Sequence, residues 1–257
     1  MRIISFCADG IREAAKQGFY DWVLDQDADF ICIQNIQARE YDLREDVFFP
    51  KGYNPYFLDA TENNQNGVAI YCREMPKAIM TGLGFIDYDR EGRYIQADFQ
   101  DFSIGCLLAP DAHQGDDAAK AHKKHFFELL HNHLNKIRNK RREFIICGNW
   151  NMTHSPQDVQ NHEANQGCSG HTPEEQQWMD QLFTELGYVD AFREINSDSD
   201  EFTWWPTGDR SQNGWRVDYQ VVSSGFKAAI EYGAIYKNQH FSSHAPLIMD
   251  YDYELPV

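Results

Sequence analysis

RIISFCADGIREAAKQGFYDWVLDQDADFICIQN, residues 2–35, sets the fold class. RIISFC (2–7) is a short apolar run, and Asp9-Gly10 behind it signals a turn. From 11 to 25 the residues Ile11, Ala14, Ala15, Phe19, Trp22 and Val23 recur at helical spacing and share one face. FICIQ (30–34) is a second short apolar run, as a buried strand requires. Strand, helix, strand at this length is a unit that returns the chain to its sheet. The stretch predicts an α/β protein.

Working outward, further strands are expected at 67–72 (GVAIYC), 93–99 (RYIQADF), 102–108 (FSIGCLL), at EFIICG, at 216–223 (RVDYQVVS) and at 245–253 (APLIMDYDY). The stretch from Gly82 to Arg93 carries turn residues and charges, as hairpin connections do. A long helix is expected over 117–138, with Phe126, Phe127, Leu130, Leu134 and Ile137 as its apolar stripe. A second is expected over 172–186. There Thr172 can cap, Pro173 suits the first turn, Glu175 completes a capping box and Gly187 ends the element. SDSDE (197–201) reads as a solvated loop, and no repeat or linker interrupts the chain. One domain over 1–257 follows, with two β-rich halves covered by helices and stacked as a four-layer α/β sandwich.

The chain has 257 residues, 42% of them apolar, enough for a sizeable core. Asp9 and Arg12 interrupt the N-terminus before a signal-like apolar run develops, so a cytoplasmic protein is expected. Cys7, Cys32, Cys72, Cys106, Cys147 and Cys168 form no CxxC pair, and buried free thiols are expected. A net charge of −17 argues against unaided binding to long nucleic acid. The charge is uneven, however. Residues 120–142 hold Lys120, Lys123, Lys124, Lys136, Arg138, Lys140, Arg141 and Arg142 against Glu128 alone, so that stretch is +7 and the rest of the chain −24.

Polar residues follow apolar runs at four places: Cys7-Ala8-Asp9-Gly10, Gln34-Asn35, Gly148-Asn149-Trp150-Asn151, and Asp218 with Ser242-Ser243-His244. Each could project into one cleft, although an Asn or His behind a strand is more often a turn former or a capping group than a catalyst. Together with DFICIQN, ICGNWNMTH, HTPEEQQWMDQLFTELGYVDAFRE, FTWWP and SSHAPL, the chain resembles the exonuclease III branch of the exonuclease–endonuclease–phosphatase superfamily over its whole length. The resemblance implies the four-layer fold. In active members it implies a divalent metal that hydrolyses phosphodiesters, and a hard ion such as Mg²⁺ wants carboxylate oxygens.

Residue by residue, the resemblance puts the metal-binding Glu at Asn35 and the Asn ending the first strand at Cys7, a soft thiol suited to other metals. Asp9 replaces an Asn. The active-site Tyr falls at Ala109, the water-positioning Asp at Asn149, and the carboxylate beside the catalytic His at Ser243. Asn151, Asp218 and His244 are kept. With these losses the resemblance narrows to the catabolite repression control branch, whose members lack nuclease activity. MTGLGFIDYDREGRYIQADF, GWRVDYQVV and HAPLIMDYDYEL carry that likeness.

What this implies is a non-enzymatic post-transcriptional repressor with a vestigial cleft, no metal and no cofactor. It would act with the Hfq hexamer on A-rich mRNA sites and bind RNA weakly alone. Lys77, Arg138, Lys140, Arg141 and Arg142 would then contact phosphate and partner, the plain alternative being a basic helix end that complements its dipole. A second reading is an altered phosphodiesterase using Asn151, Asp218, His244 and Asp9 with a different metal. A third is a small-molecule receptor in the old cleft.

Overall fold

The structure, a computed structural model, describes residues 1–61, 65–113 and 115–255. In chain order its strands are β1 (Arg2–Cys7), β2 (Phe30–Gln34), β3 (Asn54–Leu58), β4 (Val68–Cys72), β5 (Ala78–Thr81), β6 (Tyr94–Asp98), β7 (Phe102–Leu108), β8 (Glu143–Asn149), β9 (Val189–Asp190), β10 (Asp218–Val222), β11 (Ile230–Ile235) and β12 (Leu247–Tyr251). The α-helices are α1 (Ile11–Lys16), α2 (Phe19–Leu24), α3 (Ile86–Asp89), α4 (Asp117–Ile137), α5 (His162–Asn165), α6 (Pro173–Thr184) and α7 (Ala191–Ile195). Among the described residues the strands form two six-stranded sheets, ordered β11-β12-β1-β2-β4-β3 and β5-β6-β7-β8-β10-β9. β1 and β2 pair parallel in the first sheet, and β7 and β8 in the second. α1 and α2 cross over between the first pair and α4 between the second, as parallel neighbours demand.

Alternation along each strand builds the layers. Ile3, Phe30, Cys32, Val68 and Ile70 of the first sheet pack against Ile95, Ile104, Cys106, Ile145 and Cys147 of the second. Their neighbours Ile4, Phe6, Ile31 and Ile33 face the other way, onto Phe19, Trp22 and Val23. On the far side Leu107, Phe144, Ile146, Tyr219 and Val221 receive Phe126, Leu130 and Leu134 of α4 and Met179 and Leu182 of α6. The result is helix, sheet, sheet, helix, as expected. All six cysteines are free, and only Cys168 is not fully buried. Burial pushes the Cys72 thiol up to about 12. No helix among the described residues is long and apolar enough to cross a membrane.

Several boundaries differ from the sequence reading. The helix expected over 11–25 is two short helices, because Gly18 at φ +85° takes a left-handed turn between them. Gln239 then donates to the freed Gln17 carbonyl at 2.8 Å. The 82–93 connection folds into α3, where the Asp89 carboxylate accepts from the Leu83 and Gly84 amides at 2.8 and 3.0 Å. β3, β5, β9 and β11 carry weak apolar alternation and were not expected. β3 tolerates Pro55 because it is a sheet edge, where one side of the strand needs no donors.

The entry to β10 is fixed by charge. Arg216 is 1% exposed, and its Nε donates to Asp158 Oδ1 at 2.8 Å. Its Nη2 lies 2.8 Å from Asp190 Oδ2, and its guanidinium sits 4.4 Å over the Tyr219 ring. Arg193 adds a second donor to Asp158 at 2.8 Å. Burial opposes both charges, yet Arg216 and Arg193 hold the Asp158 carboxyl far below the ordinary aspartate value. Because the folded value is depressed, Asp158 contributes its full stability above the ordinary pKa near 3.8 and loses it as pH falls further. Asp158→Asn should cost about 3–5 kcal/mol in denaturant unfolding at pH 7, since it strands buried arginine. That gap should narrow as unfolding is repeated below about pH 4.

Candidate functional site

Parity brings the polar strand ends together. Cys7 ends β1, Asn149 ends β8, and Asp218 opens β10 directly opposite Asn149. All three point between the sheets, so the cleft lies at one end of the sandwich. Asn149 Nδ2 approaches Cys7 Sγ across the two sheets at 3.6 Å. Gly148 is required beside it, because a β-carbon there would collide with the Leu107 carbonyl. Asp9, Asn35 and Asn151 follow their strands at φ +47°, +53° and +50°. Asn and Asp adopt that left-handed region most readily after glycine.

The side chains form one network. Asn35 Nδ2 donates to Asp9 Oδ1 at 2.8 Å, and Gln37 Nε2 donates to Asn35 Oδ1 at 3.3 Å. Ser243 Oγ donates to the other Asp9 oxygen, and the Cys7 thiol lies 3.7 Å from Asp9 Oδ1. His244 Nδ1 is 2.7 Å from Asp218 Oδ2, while Nε2 faces Asp9 Oδ2 at 3.9 Å. Trp204 stacks on the His244 ring at 5.9 Å. Asn151 is pinned through its amide nitrogen to Asn149 Oδ1 at 2.9 Å and through Nδ2 to the Ala109 carbonyl at 2.8 Å.

Charge in the cleft is set by these contacts. Burial would lower the His244 pKa, but Asp218 chiefly, with Cys7 and Asp9, raises it well above its ordinary value. These contacts favour the imidazolium form of the ring. Burial would raise Asp9, yet His244 and the Ser243 and Asn35 hydrogen bonds hold it low. Burial pushes the Cys7 thiol up to about 12.

Two sequence assignments change. His244 has not lost its orienting carboxylate with Ser243, since Asp218 supplies it and Ser243 bonds Asp9 instead. Ala109 is not the side chain that faces the cleft. Its methyl packs in the helix layer, whereas Leu108, in register with Asn149, points between the sheets. Alternation makes the one-residue difference decisive.

Sequence reasoning missed Leu108, Trp204 and Lys123. Lys123, 3% exposed, pairs with Glu175 at 2.6 Å and donates to the Asn151 carbonyl at 2.7 Å, bracing the Asn151 turn. A lone lysine on the apolar stripe of α4 was the available signal. A cavity of about 540 Å³ lies beside the cleft, lined by Lys123, Phe127, Met152 and Trp178.

The basic residues gather at the other end of the second sheet, a β8 length (about 20 Å) from the cleft. Lys77, Lys140 and Arg141 are exposed. Arg142 is not free for phosphate. Its guanidinium donates to the carbonyls of Phe99 and Phe102 at 2.9 and 2.8 Å and closes the β6–β7 turn. Arg138 donates to the Glu185 carbonyl at 2.6 Å, at the end of α6.

The endonuclease/exonuclease/phosphatase family model matches residues 9–233. The chain belongs to that family. It is 30% identical over 254 residues to an exodeoxyribonuclease of Bacillus subtilis, covering 96% of this chain and 98% of that one. It is 31% identical over 255 residues to the DNA repair nuclease APEX1 of Danio rerio, covering 97% and 81%. An AP endonuclease structure from Archaeoglobus fulgidus superposes with TM-score 0.86 at 22% identity, covering 98% of this chain and all of that one.

These likenesses overturn one expectation. The relatives matched across nearly the whole chain carry nuclease names, so the reading of a non-enzymatic, RNA-binding catabolite repressor working with Hfq does not stand. The lost carboxylates had suggested it, but they describe the metal chemistry and leave the His244–Asp218 pair whole. The family's magnesium does not fit the side chains present. Asn35 is a neutral amide committed to Asp9 and Cys7 is a thiol, so Asp9 is the one carboxylate left on that side of the site for a hard ion.

A raised histidine pKa contributes stability that is full below the ordinary value near 6.5 and is lost as pH rises through the folded value. The His244 ring should therefore titrate above its ordinary value by NMR. In Asp218→Asn it should titrate lower than in the wild type, because the largest stabilising charge is lost. An unshifted wild-type ring would contradict this electrostatic picture.

Proposed function

We propose that this protein is a phosphodiesterase with altered metal chemistry, acting on DNA as the names of its relatives describe. The observation that carries the reading is the His244–Asp218 pair at 2.7 Å, buried at the polar end of the two sheets in a chain of nuclease kin. Asp218 fixes the ring through Nδ1 and leaves Nε2–H free to donate. A phosphoryl oxygen placed there meets a charged donor in a site from which water is largely excluded, where such donors act most strongly. Trp204 walls the ring on one side.

The chain's own residues do less for the nucleophile. Asn149 Oδ1 already accepts from the Asn151 amide, and an amide cannot take a proton from water. Asp9 is held low and is a weak base. Slow turnover is the consequence. A net charge of −17 further weakens attraction to DNA.

Within the family we also place the chain beside the catabolite repression control branch. MTGLGFIDYDREGRYIQADF and GWRVDYQVV support that placement, which concerns descent alone. A sequence tree that groups it instead with nucleases bearing a carboxylate at position 35 would refute it.

Abasic-site and blunt duplex DNA incubated with the protein and Mg²⁺, Mn²⁺ or Zn²⁺ should be cleaved slowly. His244→Ala and Asp218→Ala should each lower the rate by about 100-fold or more. Wild-type cleavage no faster than His244→Ala with every ion would sink the phosphodiesterase reading.

A further inference from the structure

The donor atoms that exclude magnesium suit another class of ion. Cys7 Sγ, a His244 ring nitrogen and an Asp218 oxygen lie within 4.8 Å of one another, all buried. His244 Nδ1 is only 2.7 Å from Asp218 Oδ2, which is a hydrogen bond and not the spacing of two ligands on one ion. That contact directs Nε2 toward Asp9 Oδ2 at 3.9 Å, and Asp9 Oδ1 lies 3.7 Å from Cys7 Sγ. Bonds of 2.0–2.3 Å in a tetrahedron put adjacent ligand atoms about 3.3–3.8 Å apart. The two spacings, each to a different Asp9 oxygen, are close to that range, so a small turn of the Asp9 carboxylate would bring one oxygen beside both Cys7 Sγ and His244 Nε2.

A second observation is independent of that spacing. Asp218 Oδ1 has no hydrogen-bond partner although Asp218 is 1% exposed. A buried carboxylate oxygen left in this way, beside the cluster, favours a nearby cation.

We infer that Cys7 Sγ, His244 Nε2 and Asp9 hold one soft divalent ion of the zinc class, with Asp218 bonded behind His244. The inference rests on the phosphodiesterase reading only for its purpose, and with an ion bound Nε2 is a ligand and no longer the proton donor of that reading; the binding itself is a separate claim. Thiolate and imidazole select zinc-class ions over magnesium. The carboxylate on Nδ1 is the usual outer partner of a ligating histidine. Binding displaces the Cys7 thiol proton and the His244 Nε2 proton to solvent and forms S–metal and N–metal bonds. Asp9 is the one open ligand, with its side chain 33% exposed, so the fourth position faces the cleft mouth and can take water or a phosphate oxygen.

The test uses the full chain, stripped of metal by chelator and titrated with Co²⁺. One equivalent should produce tetrahedral visible bands with a thiolate-to-cobalt charge-transfer band, and one equivalent of Zn²⁺ should remove them. Cys7→Ser should abolish the charge-transfer band while thermal unfolding still shows a folded protein, and Cys168→Ser should leave it intact. Asp218→Asn should weaken binding by about 10–100-fold. No charge-transfer band in the wild type, or a band that survives Cys7→Ser, overturns the inference. If Cys7→Ser fails to fold, Cys7→Ala and His244→Ala take its place, and a band retained in both gives the same refutation. A metal bound at Cys7 without DNA cleavage would refute the phosphodiesterase reading and leave the site standing. Cleavage with Mg²⁺ or Mn²⁺ and no thiolate band would do the reverse.

Discussion

Arg216 carries a permanent positive charge to a place that water does not reach. Such a charge is tolerated only where anions and hydrogen bonds replace its hydration. Here Asp158 arrives from the loop behind β8 and Asp190 from the start of α7, while the Tyr219 face covers the guanidinium. Three separated parts of the chain must therefore meet correctly or leave a buried charge unpaired. The backbone joins in, since the Arg216 amide donates to the Asp158 carbonyl at 2.8 Å. Two residues further on, Asp218 inherits its position from this anchor and meets Asn149 and His244.

The rest of the cleft depends on strand alternation. In a sandwich with both sheets buried, every second residue of four strands points between the layers, and the strands end at the same edge. Cys7, Leu108, Asn149 and Asp218 are the last or first such residues of their strands. The chemistry of the edge then changes by substitution without disturbing the layers. Amides stand at 35 and 149 where the resemblance expects oxygen acids, and a thiol at 7 where it expects an amide, while the scaffold that aims them is retained. Lys123 and Glu175 show how deep that scaffold runs, because a buried ion pair in the helix layer holds the carbonyl of Asn151.

The two ends of the second sheet differ in what they gather. One end carries the cleft. The other gathers the basic residues of the α4–β8 connection, but sequence clustering overstated their freedom. Arg142 and Arg138 spend their donors on carbonyls of a turn and a helix end. A charged side chain in sequence is only a candidate for a ligand; whether a nearby carbonyl claims it is a matter of the folded surface. The same holds for Ser243, which was expected to leave His244 unsupported and instead bonds Asp9.

The sequence by itself determined the α/β class, the buried strands 2–7, 30–34 and 102–108, the capped helix from Thr172 and the set of strand ends that meet in the cleft, because hydrophobic period and capping are local. It could not place edge strands such as β3 and β5, whose pairing comes from neighbours and whose own apolar signal is slight. It also could not tell Ala109 from Leu108, or Ser243 from Asp218 as the partner of His244. Those distinctions turn on which way a side chain leaves its strand and what lies across from it. Only packing the two sheets fixes both, since a one-residue change of register reverses every side chain while leaving the composition of the motif untouched.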